Sequence, residues 1–218
     1  MVDWAGHARR EDQRYRDGEV RLPDAEDEDA RQRQLARMGN AAGGAGLALL
    51  MAGETKEARE WFARAVERYR ESYVLAPPGS WGRPIAILKA HILAGDWDGA
   101  EADARWTLDE GAAEAQSPIG RYAATLALLV LARDQEARVL ADGLRTSHDF
   151  PVPVGDALAF IAAHDPLGYV EAVEAVLETF ETREDYLEDI PVADTVLVLQ
   201  ALAGRRELAA ELSSQLLP

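Results

Sequence analysis

Gly46-Leu47-Ala48-Leu49-Leu50-Met51-Ala52-Gly53 carries an apolar helical run onto a turn residue, and Ala58, Phe62 and Ala65 reopen it at helical spacing. The same closing and reopening recurs at Leu93-Ala94-Gly95-Asp96, Leu131-Ala132-Arg133-Asp134, Ala163-His164-Asp165-Pro166 and Leu202-Ala203-Gly204-Arg205. Five residues after Gly53, Gly95, Ala132, Asp165 and Gly204 stand Ala58, Ala100, Ala137, Val170 and Ala209. Periods of this length mark stacked helix hairpins, because one hairpin cannot bury its apolar face without a neighbour. With no alternating strand pattern between turns, the expected fold is all-α, a stack of about five helical hairpins over residues 30–218, preceded by an N-terminal extension, 1–29.

The periodicity places the elements. A short amphipathic helix is expected from Trp4 to Arg16, and the acidic cluster Asp24–Asp29 suits the positive start of the next helix. That helix, to Ala52, holds Gly39, Gly43, Gly44 and Gly46 in its interior. Glycine there costs roughly 1 kcal/mol against alanine, so the cluster predicts close approach of another helix. Its partner runs from Thr55 to Leu75, ended by Pro77-Pro78-Gly79. Further pairs are expected at 83–93 with 97–110, 119–132 with 134–145, 154–163 with 166–182, and 192–203 with 207–216. The helix from Ile119 is apolar almost all round, which predicts burial.

Within the 218 residues, 39 acidic side chains face 23 basic ones, a formal charge of −16, and there is no cysteine. So negative a field disfavours nucleic acid as a partner, and the mixed segment Arg9–Arg14 is partly neutralised by its own acids. The missing cysteines remove disulfides and thiolate sites. No apolar run has the length of a membrane span and no leader pattern appears, so a cytoplasmic protein is expected. The acidity fits either a saline cytoplasm or a basic partner.

The first joint, Gly46-x-x-Leu49-x-x-x-Gly53-x-x-x-x-Ala58-x-x-x-Phe62-x-x-Ala65, resembles the tetratricopeptide repeat. In that family small residues let paired helices approach and the aromatic fills the gap between them. The later joints diverge: Ala104 and Thr107 replace the aromatic and last small residue of the second, and the spacing of the alanine-type positions varies. The resemblance implies a scaffold that binds other proteins. The C-terminal half is similar to the all-helical immunity proteins of bacterial polymorphic-toxin systems at Ala157-Leu158-Ala159-Phe160-Ile161-Ala162-Ala163-His164-Asp165. It is similar again at Leu199–Arg206 and Ser213–Pro218, although Glu207 stands where a helix-ending glycine is expected. That likeness implies neutralisation of a cognate toxin.

Phosphate-loop, dinucleotide and nucleophile-elbow motifs are missing. His7, His91, His148 and His164 make no i,i+4 pair, and Glu171, Glu174 and Glu178 read as a solvated face. Neither enzyme chemistry, cofactor nor metal is therefore expected. The informative residues sit early in the first helix of each pair: Arg83, Arg121 with Tyr122, Asp156 and Asp194. In stacked hairpins such positions line the concave side, and arginine there opposes the helix dipole. Trp81, Trp97 and Trp106 lie in the same repeats, where aromatics beside arginine suit a binding hot spot. The expected function is protein binding through these five residues. Toxin immunity and a central-pocket enzyme or small-ligand sensor are the alternatives.

Overall fold

The computed structural model describes residues 2–218, with the side chain of Leu187 outside the description. Among the described residues there are ten α-helices and no strand. They are α1 Trp4–Arg21, α2 Glu28–Met51, α3 Thr55–Leu75, α4 Gly82–Ala94 and α5 Trp97–Asp109, then α6 Pro118–Val130, α7 Asp134–Arg145, α8 Val152–Ala163, α9 Pro166–Glu181 and α10 Asp194–Gly204. The protein is an all-α stack of helical hairpins: α1 to α4 pack consecutively on one another, and so do α5 to α10. None of these helices is long and apolar enough to cross a membrane.

The chain forms two compact units: residues 1–95 with 184–192 and 215–218, and residues 96–183 with 193–214. In the first, α1 and α3 both pack on α2. The expected extension is thus a full helix, α1, whose Tyr15 is buried and meets Trp61 edge-on at 5.5 Å. Asp27 caps α2 by accepting from the Ala30 amide, and Glu28 and Asp29 fill its first turn. The glycine cluster has its predicted cause at two positions: a Cβ on Gly39 would stand 2.8 Å from the Tyr69 ring, and one on Gly46 2.7 Å from the Phe62 ring. Gly44 lies against Glu11 and Ile190, whereas Gly43 has nothing within 4 Å and needs another account.

In the second unit α6 is the central element, buried from Tyr122 through Val130, with α5 and α7 against it and α8 against α7. Four hairpin joints share one geometry. Gly53, Gly95, Ala132 and His164 all adopt a left-handed conformation. The amides of Glu54, Arg133 and Asp165 then reach back to the carbonyls of Leu49, Leu128 and Phe160, a helix-terminating pattern. Five residues past each left-handed position come Ala58, Ala100, Ala137 and Tyr169, all buried.

This shifts the fourth joint by one residue from the sequence reading. His164 makes the turn, and Asp165 caps α9 through the Leu167 and Gly168 amides at 3.1 Å each. The fifth hairpin is corrected further: α10 has no second helix after it. The left-handed residue is Glu207, where glycine was expected, and the Leu208 amide closes on the Ala203 carbonyl. Beyond it only Leu208 is buried, while Leu212 and Leu216 are partly exposed. A segment of about ten residues that finds no core has too few bonds to sustain an isolated helix.

Candidate functional site

Arg83 belongs to the first unit. It stands in the first turn of α4, whose N-terminus has no side-chain cap. Its Nε donates to Ser72 Oγ at 2.7 Å, and its Nη2 donates to Gln32 Oε1. Ser72 in turn donates to the Gln32 carbonyl at 2.7 Å, and both residues are buried. Burial holds the Arg83 pKa below the ordinary arginine value, opposed only by the Tyr69 phenol.

Arg121, Tyr122, Asp156 and Asp194 belong to the second unit. Pro118 opens α6, and Ser117 caps it by accepting from the Gly120 amide at 3.2 Å. Arg121 Nε donates to the Ala115 carbonyl at 3.4 Å. Tyr122 is buried, with its ring 5.3 Å from that of Phe150. Asp156 pairs with Arg145, Oδ1 to Nε at 2.5 Å, and Asp142 shares the same guanidinium at 3.3 Å. Asp194 accepts from the Thr195 amide at 2.8 Å.

Five arginines are partly buried: Arg68, Arg83, Arg121, Arg145 and Arg206. Carboxylates hold three of them, Glu71 on Arg68, Asp156 on Arg145 and Asp134 on Arg206. Among the described residues no carboxylate pairs with Arg83 or Arg121. In a chain where acids outnumber bases 39 to 23, an unmatched cation at such a depth is conspicuous, because removing charge from water costs energy that a counter-ion ordinarily offsets. The chain matches no protein-family model, no curated protein and no solved structure.

A second cluster in the second unit was not visible as a site in the sequence. Asp134, at the start of α7, meets His164 Nε2 at 2.7 Å and Arg206 Nε at 3.0 Å. Arg206 also donates to the carbonyls of Leu129 at 2.7 Å and Leu202 at 3.0 Å. Burial alone would raise the Asp134 pKa, but hydrogen bonds from Arg206 and His164 outweigh it and hold the carboxyl below its ordinary value. The adjacent Arg205 lies over the Trp97 ring at 4.4 Å and reaches Glu101 at 3.7 Å. The turn after α10 thereby ties down the starts of α5 and α7 and, through Asp134, the end of α8. The signal in the sequence was the joint motif itself, since Asp134, His164 and Arg206 each lie within two residues of a left-handed position.

The first unit has its own buried acid. Glu11 is fully buried and accepts from Arg10 Nε at 2.8 Å and Arg14 Nη1 at 3.1 Å. Arg14 also pairs with Glu188, which accepts from Asn40 Nδ2 at 3.1 Å. These charges are matched within the unit, as the mixed composition of Arg9–Arg14 led one to expect.

Proposed function

We propose that this chain is a non-enzymatic, tetratricopeptide-like module that binds another protein through the surfaces carrying Arg83 and Arg121. The observation that carries the reading is the pair of partly buried guanidiniums with neutral partners only. Arginine is a frequent anchor of protein interfaces, and it gives planar, directional bonds to a carboxylate. Gly53 in its left-handed turn, the approach of Gly46 to Phe62 and the burial of Ala58 and Ala65 support the tetratricopeptide likeness. Because Asp156 is already engaged by Arg145, the two arginines rather than the two aspartates are the contact residues we favour.

The test is quantitative affinity capture with the wild-type chain and an Arg83→Gln/Arg121→Gln double variant, alongside their melting temperatures. The reading predicts one or more proteins recovered by wild type and lost with a double variant of unchanged stability. A double variant that unfolds early yet recovers the same proteins would make both arginines scaffold.

Toxin neutralisation is the narrower form of this reading, and the −16 charge supports it, since an acidic surface attracts a basic partner from a distance. Co-expression with the product of an adjacent gene tests it: relief of that product's toxicity is the expected outcome, and persistent toxicity counts against it.

A further inference from the structure

Arg121 stands at the end of a groove. Two adjoining cavities of about 380 and 240 Å³ run beside α7 and share Ala113, Glu114, Val139 and Leu140. Leu108 and Leu128 line the larger one and Arg121 and Gly143 the smaller. Its apolar lining, Leu108, Leu128, Val139 and Leu140, is interrupted by Glu114, Gln116, Arg133 and Glu136, and Val139 is 72% exposed on an otherwise strongly amphipathic helix.

Its charged residues are not equivalent. Arg133, in the larger cavity, is closed on Glu136 by two bonds of 2.6 and 2.8 Å. The Glu114 carboxylate makes no ion pair with Arg121; its Oε2 lies 3.9 Å from where a Cβ on Gly111 would stand. Position 143 has no side chain, and a Cβ there would stand 3.8 Å from Arg121 Nη1, so the guanidinium lies close beside α7 at this glycine. The groove offers apolar surface at Leu108, Val139 and Leu140 and, in its smaller cavity, a cation that no carboxylate among the described residues pairs with.

Between Arg133 and Gly143 the helix rises about 15 Å at 1.5 Å per residue, a span that extended chain covers in about five residues. We propose that this groove receives an extended segment of a partner protein. Apolar side chains of the segment cover Leu108, Val139 and Leu140, and the carboxylate of an aspartate or glutamate side chain sits on Arg121. The proposal rests on the protein-binding reading and names the chemistry of the segment.

The probe is the peptide acetyl-Leu-Ala-Val-Leu-Glu-amide, titrated into the full-length ¹⁵N-labelled chain by NMR. Saturable shifts are expected at the amides of Val139, Leu140 and Gly143 and at the Arg121 Nε–Hε group. A glutamine in place of the peptide's glutamate, or Arg121→Gln in the protein, should each weaken binding at least about tenfold, since a charge-assisted bond is lost. Arg133→Gln should leave the affinity within about twofold, because that guanidinium is already engaged. Groove signals that stay still, or equal affinity for the glutamate and glutamine peptides, overturn the proposal. If the groove fails in this way while captured proteins are still lost with the double arginine variant, protein binding stands and only the groove is wrong.

Discussion

The two ends of α7 each meet a partly buried arginine, and the two are treated in opposite ways. At the N-terminal end Asp134 takes Arg206 and His164 together, and Arg206 also spans two backbone carbonyls. Toward the C-terminal end Arg121 lies beside Gly143 with one long bond to a carbonyl. Both guanidiniums are partly removed from water, but only the first has a counter-charge. The contrast separates what holds the fold from what is left over once the fold is made.

The largest effect is expected at the matched end. Arg206→Ala should lower the unfolding free energy by about 3 kcal/mol, because it leaves a partly buried carboxylate without its main partner. Urea denaturation of the full chain measures it, and a loss near zero would break the contrast.

Acid should act on the same cluster. The Asp134 pKa is held below the ordinary 3.8 in the fold, so its contribution is complete above that value and lost as pH falls through the depressed folded value. In acid titrations of the melting temperature, Asp134→Asn should therefore lose less than wild type below pH 3.8. Parallel curves would show that the cluster adds nothing.

Smaller and opposite in sign is Ala132→Gly. Alanine held at φ 55 bears a left-handed backbone that costs about 1 kcal/mol, so glycine should raise stability by about that amount, less the entropy it gives the unfolded chain. Gly95→Ala should lose a similar amount. The smallest expected effect is a rise in melting temperature from dilute to molar KCl, as screening relieves the repulsion of a −16 chain.

The hairpins were legible because each joint is encoded locally. Apolar spacing, a left-handed residue and a capping carboxylate lie within about ten residues, the range over which helix signals act. Where glycine marks the turn, at Gly53 and Gly95, the reading was right to the residue. The alanine turn at Ala132 is read correctly too, but the fourth turn is set one residue late, at Asp165 instead of His164, and the fifth is set at Gly204, the last residue of α10, with Glu207 read as the start of a second helix instead of the left-handed residue. The end of α10 depends on whether Leu212 and Leu216 find a core, a tertiary matter that no local pattern carries. For the same reason Arg83 and Arg121 stood out as cations at the wrong end of a helix dipole, whereas the Asp134, His164 and Arg206 cluster, assembled across 30 and 72 residues of sequence, did not.

The central claim is that Arg121, unlike Arg206, is not kept for the fold. It is tested most directly by measuring the unfolding free energies of Arg121→Gln and Arg206→Gln side by side in the full-length chain. The account predicts a change within about 0.5 kcal/mol for Arg121→Gln, of either sign, and a loss of about 2–3 kcal/mol for Arg206→Gln. Equal losses at the two positions would contradict it.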